Sequence, residues 1–299
     1  ISNVIKNEKP KKTELIDIDK WALTKYSKLV KKCTKQMDNF DYSQTMKDVE
    51  YFLWHELADH YIEMIKGSIY ENKNLDSIKY TLYTIGLGTL KLFRPLIPHI
   101  SEEIYTNYYQ QFEKDTSIHV SAWPEPELVD NETEKAGESV KDYISQVRSW
   151  KSERGIALNA PIDAIATYSS KDLSVRFKHN ETIIKSTLKF PDSHEFIPRK
   201  PDIEEKIIKI SPVYSKIGPA FKKDGKKFAQ WINDNQDDII SQLEKKGDIV
   251  LSEVPVIESK EKDGLLQEGF IRVEKDIKVK GKKDSTILSF NKFYLELRV

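Results

Sequence analysis

Residues 92–105 read LFRPLIPHISEEIY and contain the clearest helix boundaries in the chain. An apolar stretch meets two prolines, which end a helix because proline lacks the amide N–H and clashes with the preceding turn. The SEE run that follows is typical of a helix start. The segment therefore predicts one helix that ends near Phe93 and another that runs from Ser101 to about Phe112.

The same helical periodicity continues on both sides of this segment. Asp17 and Asp19 are expected to cap the first helix or to lie in its first turn. Gly86 and Gly88 each cost about 1 kcal/mol against alanine inside a helix, and close helix packing is the expected reason. A short extended segment is predicted at 117–123. The remaining helices are predicted at 17–39, 42–66, 75–93 and 132–154.

The character of the sequence changes after Gly155, where short β-rich runs alternate with helical patterns. We therefore predict an α+β chain of several domains: a lysine-rich linker at 1–16, an antiparallel α-helix bundle at 17–154, and a small mixed α/β domain at 155–299. The β-rich runs lie at 162–168, 195–197, 206–210, 249–256, 269–273, 277–279 and 294–299, and the helical patterns between them at 170–187 and 219–243.

Composition excludes several classes of protein. The chain has 299 residues, with 48 basic and 48 acidic side chains and a formal net charge of zero. A dedicated nucleic-acid binder is usually basic, so any RNA contact must use local patches. Cys33 is the only cysteine, which excludes a disulfide framework and fits a reducing compartment. No apolar run reaches about 18 residues, so we expect a cytoplasmic protein without a membrane partner. The start at Ile1 suggests a piece of a longer protein.

Motifs for catalysis and metal binding are missing from the sequence. His55 and His60 sit in HELADH, which is similar to the zinc motif HExxH, but their spacing of five turns them about 140° apart on a helix. Neither a phosphate-binding loop nor a nucleophile with an evident base is present. We expect no catalytic residue, no metal site and no cofactor within this chain.

A stripe of lysines follows the first predicted helix. Lys25, Lys28 and Lys32 recur at helical spacing, and no acidic residue occurs between Lys20 and Met37. The more common interpretation is a solvated lysine face on a bundle helix. The sharper interpretation is a stripe that faces phosphates. Both remain open from the sequence.

A second basic group lies near the end of the fifth predicted helix, where Arg148, Lys151 and Arg154 follow one another. Basic side chains at a helix end can satisfy the last carbonyl groups. They can also contact an RNA backbone, and aromatic side chains can stack on unstacked bases. Phe52, Trp54 and Trp150 are the candidate platforms, although aromatic residues at helical spacing more often lie in a core.

Four segments, in order, resemble the anticodon-binding bundle of class I aminoacyl-tRNA synthetases. These are 19–23 (DKWAL), 52–63 (FLWHELADHYIE), 92–105 and 117–124 (SIHVSAWP). Valyl members of that family are particularly similar around Trp54, Asp59 and 61–63, and across 147–156 with the later 161–162. Residues 213–221 and Asp224 resemble the C-terminal domain of archaeal-type valyl and isoleucyl members.

The resemblance implies a role in recognition of tRNA. Such an enzyme activates its amino acid with ATP and Mg²⁺ and transfers it to tRNA. The HIGH and KMSKS signatures of that chemistry, and an editing domain, are not in these residues and are expected upstream. The implied partners are a valine-accepting tRNA and those upstream domains. The candidate tRNA-binding residues are Arg148, Lys151, Arg154, Lys25, Lys28, Lys32, Trp54 and Arg94, of which Arg94 precedes Pro95 and has a possible role in the helix junction instead.

Other functions remain open at this point. One keeps the family and changes the amino acid to isoleucine or leucine. Another is a non-catalytic scaffold for protein partners, which the neutral charge favours and the lysine stripe disfavours. Because the chain is neutral, we expect weak binding of tRNA by these residues alone.

Overall fold

The computed structural model of this chain describes residues 8–251, 254–255, 266, 269–280 and 284–298. Its contacts divide the chain into two compact units, Ile1–Arg199 and Lys200–Val299. The predicted domain boundary after Arg154 does not coincide with this division, because residues 155–199 pack with the preceding helices.

The first unit is mainly helical, with one pair of strands. Strands β1 (Ala164–Ser169) and β2 (Glu195–Ile197) are parallel, with Ala166 opposite Glu195 and Tyr168 opposite Ile197. The elements are α1 (Asp17–Asp38), α2 (Tyr42–Tyr51), a π-helical segment (Phe52–Ile62), α3 (Glu63–Tyr70), α4 (Leu75–Phe93), α5 (Pro98–Tyr108), α6 (Asn131–Glu153), β1 (Ala164–Ser169), α7 (Lys171–His179), α8 (Glu181–Leu188) and β2 (Glu195–Ile197).

The predicted helices at 17–39, 75–93 and 132–154 agree with α1, α4 and α6 to within one residue at each end. The helix expected at 42–66 continues to Tyr70 and contains the π-helical segment. The extended segment expected at 117–123 is wrong, since Ile118–Val120 form a short 3₁₀ turn.

Asp17 and Asp19 lie in the first turn of α1, as predicted, but neither caps the helix. Ile16 occupies the N-cap position, and the Asp19 carboxylate is fully buried. It accepts hydrogen bonds from the Tyr61 hydroxyl, at 2.6 Å, and from the Ser77 hydroxyl. One buried carboxylate thus joins α1 to the π-helical segment and to α4. Burial raises the pKa of Asp19 to about 6, against the opposing effect of these two hydrogen bonds.

The core of the first unit lies along α1. Tyr26, Leu29 and Cys33 are buried and recur on one helical face, and Trp21 is buried on another. The expected close packing at Gly88 is confirmed, since a Cβ at that position would overlap the Tyr26 hydroxyl. A Cβ at Gly137 of α6 would likewise overlap the Trp21 ring. Two glycines thus allow α4 and α6 to approach α1.

Hydrogen bonds tie residues 155–199 to these helices. The hydroxyls of Tyr143 in α6 and Thr167 in β1 lie 2.6 Å apart. The Thr187 hydroxyl of α8 donates to the Met64 carbonyl of α3 at 3.3 Å. Hydrogen bonds of this kind explain why the compact unit extends to Arg199 rather than ending at Arg154.

The second unit is a mixture of helices and antiparallel strands. Its core includes Phe221, Phe228, Ile232 and Ile271. The runs predicted at 269–273 and 277–279 belong to one strand, β4 (Ile271–Val279). No run was predicted for β5 (Ser285–Ser289), and the run predicted at 249–256 lies partly outside the described residues. The elements are β3 (Ile203–Pro212), α9 (Tyr214–Phe221), a 3₁₀ turn (Lys222–Asp224), α10 (Gly225–Asp234), α11 (Gln236–Lys246), β4 (Ile271–Val279), β5 (Ser285–Ser289) and β6 (Phe293–Arg298), with β3 paired to β4 and β5 to β6.

These elements confirm an α+β chain that is rich in helix and carries small sheets. Within the part of the chain that the structure describes, no helix has both the length and the apolar character needed to cross a bilayer.

Candidate nucleic-acid interface

Ion pairs between helices show how the helices of the candidate interface are arranged. Glu56 pairs with Lys141 at 3.5 Å and Glu63 with Arg148 at 3.1 Å, so the 52–70 region and α6 run side by side in the same direction. Lys25 of α1 reaches Glu138 of α6, whereas Lys28 reaches Glu134, so α1 runs in the opposite direction. Ion pairs therefore line the contact of α6 with the 52–70 region and its contact with α1.

The lysine stripe of α1 faces acidic side chains, contrary to the phosphate-facing interpretation. Lys28 pairs with Glu134 of α6, and Lys32 pairs with Asp48 of α2 at 2.8 Å. Both lysine side chains remain about half exposed. No acidic residue lies between Lys20 and Met37 of α1, and the acids that compensate its lysines come from neighbouring helices. The stripe is thus largely neutralised within the unit.

Lys25 is the most enclosed member of the stripe. Its ammonium lies 3.0 Å from both Glu56 and Glu138. Burial alone lowers the pKa of Lys25, but the hydrogen bonds and charges of the two glutamates outweigh it and raise the pKa. Burial likewise opposes ionisation of Glu138, yet Lys141 and Lys25 lower its pKa to about 2. Lys25 therefore belongs to a charged cluster inside the unit.

Lys151 is a structural residue, which corrects the prediction that it contacts RNA. It is fully buried. Its ammonium donates to the carbonyls of Leu158, Ala160 and Leu188 at 3.2, 2.7 and 3.0 Å. Burial first, and then the charges of Arg148 and Lys189, lower its pKa to about 8. All three donor positions of the ammonium are occupied by carbonyls, so nothing is left to meet a phosphate.

Arg94 also has a structural role, which corrects its place among the RNA contacts. Its guanidinium donates to the Ile118 carbonyl at 2.7 Å and to the Ser121 carbonyl at 2.6 Å. The group also lies 6.0 Å from the centre of the Trp123 ring. Arg94 therefore fixes the 118–121 turn against the end of α4, at the helix junction that the two prolines mark.

Arg148 borders a cleft between the 59–64 segment and α6. The cleft has a volume of about 210 Å³. The Arg148 guanidinium holds Glu63 at its edge, and Glu63 also pairs with Lys66. The lining residues are Asp59, His60, Glu63, Met64, Lys141, Ile144, Ser145 and Arg148.

The cleft combines a charged rim with apolar side chains. Burial opposes ionisation of Glu63, but Lys66 and Arg148 lower its pKa, so it is a carboxylate at neutral pH. Burial first and the Lys141 charge second lower the pKa of His60, so its ring is neutral and offers one donor and one acceptor. A planar polar group entering the cleft would meet donors and acceptors beside an apolar surface.

This cleft was not predicted from the sequence as a unit. Asp59, Glu63 and Arg148 are ordinary charged residues there, and only helix packing brings them together. A π-helical segment carries Asp59 and His60. Such segments occur frequently at functional sites, but the sequence has no simple signal for one.

Two predicted residues remain exposed and available. The Trp54 side chain is 59% exposed. Arg154, the residue after α6, is exposed and lies 5.0 Å from the centre of the Trp150 ring. Because Glu56 is level with Lys141, Trp54 and Arg154 lie near opposite ends of the paired helices, roughly 20 Å apart at the rise of an α-helix. They do not form one compact site.

Metal binding finds no support around the two histidines. The His55 ring nitrogen lies 3.1 Å from the Asp59 carboxylate, and the side chains of His55 and Asp59 are exposed. In the described ranges, no three His, Cys, Asp or Glu side chains come together as a set of ligands.

Comparison with known proteins gives the family. Residues 19–166 match the model of the anticodon-binding domain of tRNA ligase. The chain is 32% identical to a valine–tRNA ligase of Pyrococcus horikoshii, over 80% of this chain and 27% of that protein. It is 34% identical to one of Methanococcus maripaludis, over 77% of this chain and 26% of that protein, and 29% identical to one of Pyrococcus furiosus, over 95% and 32%.

The chain thus spans less than a third of the length of these curated relatives. The matched region includes α1, the 52–70 region, α4, α5 and α6, which are the helices that carry the cleft and its surrounding charges. The chain therefore belongs to the tRNA ligase family, with its anticodon-binding domain at residues 19–166.

Proposed function

We propose that this chain is the tRNA-recognition portion of a cytoplasmic valine–tRNA ligase. The observation that carries the proposal is the match of residues 19–166 to an anticodon-binding domain, together with valine–tRNA ligases as relatives over most of the chain. The chemistry, with its ATP and Mg²⁺, belongs to a catalytic domain upstream of these residues, next to an editing domain. This chain then acts by binding valine-accepting tRNA.

The helices of the first unit act as an antiparallel bundle that holds the anticodon stem-loop. Binding at this distance contributes to the reaction by fixing the acceptor end of the tRNA in the remote active site. Cognate tRNA is then selected by the difference in affinity between anticodons.

The cleft beside Arg148 is the proposed site for one unstacked base. Met64 and Ile144 offer apolar contact to the face of a base, and Glu63 offers acceptors for an exocyclic amino group. Arg148 keeps Glu63 ionised and oriented at 3.1 Å. Hydrogen bonds to the base edge in this cleft would distinguish one anticodon from another.

Trp54 and Arg154 are the proposed outer contacts. An exposed indole can stack on a loop base, and a guanidinium above a tryptophan ring is a planar cation that suits a base or a phosphate. Lys28 and Lys32 are half exposed, so they add weaker electrostatic attraction once their paired acids are taken into account.

The test is a binding titration of the 299-residue chain against valine tRNA and a copy with a swapped anticodon. Tighter binding of the native anticodon is expected, and Glu63→Gln should reduce that preference while leaving non-specific binding intact. The matched control is Glu132→Gln, a carboxylate on α6 that also pairs with a lysine three residues away. Equal affinity for both anticodons, with no effect of Glu63→Gln, would contradict the proposal.

The same titration separates the other candidate functions. Preference for an isoleucine or leucine tRNA would change the amino acid and keep the mechanism. Failure to bind any tRNA, with retention of a protein partner, would favour a scaffold instead.

A further inference from the structure

The second unit carries a concentrated group of lysines that the proposed anticodon site does not use. Residues 214–227 read YSKIGPAFKKDGKK and contain five lysines against one aspartate, in a chain whose net charge is zero. The segment comprises α9, the Lys222–Asp224 turn and the start of α10. We call these five residues the lysine patch: Lys216, Lys222, Lys223, Lys226 and Lys227.

Packing of the apolar residues forces the patch outwards. Ile217 and Phe221 of α9 and Phe228 of α10 are buried in the core of the second unit. The Phe221 and Phe228 rings lie with their centres 4.7 Å apart, which fixes α9 against α10. With those positions committed to the core, all five lysines of the patch are exposed. The patch thus lies on two helices that are packed against the core and on the turn between them.

The lysines of the patch lack the compensation seen in the first unit. Each stripe lysine of α1 pairs with an acid, whereas none of the five patch lysines makes an ion pair among the residues described for its unit. Asp224, the one acid in the segment, is only partly exposed and pairs with none of them. Five exposed lysines within 12 residues, none in an ion pair with a described residue, give this segment of the second unit a positive surface.

The spacing of the lysines suits a polyanion. Lys222 and Lys223 lie in the turn that precedes α10, and Lys226 and Lys227 lie in the first turn of α10, so four of the five lysines fall within six residues. Lys222 also adopts φ +41°, a value that favours glycine, and backbone strain of this kind is concentrated at functional sites.

We propose that the lysine patch binds the phosphate backbone of RNA, as a second contact independent of the anticodon. The choice of the tRNA itself as the RNA rests on the proposed function above. A membrane surface fits less well, because an interfacial helix inserts an exposed apolar face, and the apolar face of α10 is buried in the core.

The test compares two variants of the 299-residue chain with equal loss of charge. The first is Lys222→Gln with Lys223→Gln, Lys226→Gln and Lys227→Gln. The matched control replaces four lysines of the first unit that are exposed or partly exposed and already paired with acids: Lys12, Lys20, Lys73 and Lys135. Circular dichroism establishes that both variants are folded. Binding is measured against valine tRNA, its anticodon-swapped copy and a plain RNA hairpin over a range of salt concentrations.

The patch variant should bind all three RNAs about tenfold or more weakly at about 0.1 M salt, with the dependence of log K on log salt reduced by about 3. The ratio between the two anticodons should not change, because phosphate contacts carry no sequence information. The control should change both quantities much less. Equal behaviour of the two variants, or no binding of the hairpin by the unsubstituted chain, would overturn the proposal.

The outcomes also separate this proposal from the anticodon site. Loss of hairpin affinity without any anticodon preference in the unsubstituted chain would support the patch and reject the proposed function. Anticodon preference in the unsubstituted chain, with a salt dependence that the patch variant leaves unchanged, would support the proposed function and reject the patch. Vesicles containing phosphatidylserine serve as the remaining probe: loss of vesicle binding with unchanged RNA binding would assign the patch to a membrane surface and overturn the RNA proposal.

Discussion

The Lys151 ammonium lies 3.0 Å from the Leu188 carbonyl oxygen, and this contact joins the last turn of α6 to the last turn of α8. The same ammonium binds the carbonyls of Leu158 and Ala160, in the loop that precedes β1. A single buried cation thus satisfies three backbone acceptors from two separate segments. This explains why residues 155–199 are part of the helical unit.

Lys151→Met is expected to lower the free energy of unfolding by about 1–3 kcal/mol, because it leaves buried carbonyls without a donor. The measurement is urea unfolding followed by fluorescence and circular dichroism. Lys178→Met, an exposed lysine on α7, is the control and should be nearly neutral. A Lys151→Met chain of unchanged stability but reduced tRNA affinity would restore Lys151 as an RNA contact.

Asp19 should give the helical unit a distinctive pH dependence. Burial raises its pKa to about 6 in the folded chain, against a value of 3.8 for the exposed group. The folded state therefore holds this proton more tightly, so the associated stability is present below about pH 4 and is lost as the pH rises through 6. At about 1.4 kcal/mol per pH unit, the loss amounts to roughly 3 kcal/mol.

The measurement for Asp19 is the free energy of unfolding of Asp19→Asn and of the unsubstituted chain between pH 4 and 7. As the pH rises from 4 to 7, the free energy of unfolding of Asp19→Asn should increase relative to that of the unsubstituted chain, because asparagine carries no proton to lose. Taking the difference removes the opposite slopes of carboxylates with lowered pKa values, such as Glu138. Asp17→Asn, a more exposed carboxylate on the same helix, should produce no such trend, and parallel curves for Asp19→Asn would refute the prediction.

Gly88→Ala is expected to lower the free energy of unfolding by about 1–3 kcal/mol through overpacking. The added methyl group would overlap the Tyr26 hydroxyl, at the point where α4 meets α1. Thermal unfolding measures the effect. Combining Gly88→Ala with Tyr26→Phe removes the nearest atom and should recover part of the loss. Full additivity of the two substitutions would show that Tyr26 is not the obstacle.

Trp54→Ala should weaken tRNA binding by about tenfold, since loss of one base stack on an aromatic ring costs about 1–3 kcal/mol. Trp54 is 59% exposed, so the substitution should leave unfolding nearly unchanged. The control is Tyr108→Ala, which removes a similarly exposed aromatic side chain from α5. Binding is measured by fluorescence titration, and equal effects of the two substitutions would remove Trp54 from the interface.

Local sequence was enough to place several elements. The bounds of α1 and α4 follow from apolar periodicity and from the prolines after Phe93, because helix formation depends on residues three and four apart. The π-helical segment and β5 could not be predicted in this way. The first depends on how the 52–62 region packs, and the second depends on its pairing with β6.

The predicted binding residues show which properties of a side chain the local sequence does not determine. Arg148, Lys151 and Arg154 look alike in the sequence, yet the structure places Arg148 in an ion pair, Lys151 in the core and Arg154 over a tryptophan ring. Their surroundings come from α3, α8 and α6 itself. Exposure and pairing of a charge depend on residues that are distant in the sequence, so a one-dimensional pattern does not contain them.

By itself, the sequence determined the positions of the main helices, the α+β class and the resemblance to an anticodon-binding domain, because these depend on local periodicity and on motifs read in order. Only the tertiary structure decided which cations are available. The α1 stripe is compensated by Asp48, Glu134 and Glu138 from other helices, whereas the patch around Lys222–Asp224 is left uncompensated among the described residues. The physical reason is that the interactions of a charged side chain depend on which groups lie near it in space, and the folded structure determines which groups those are.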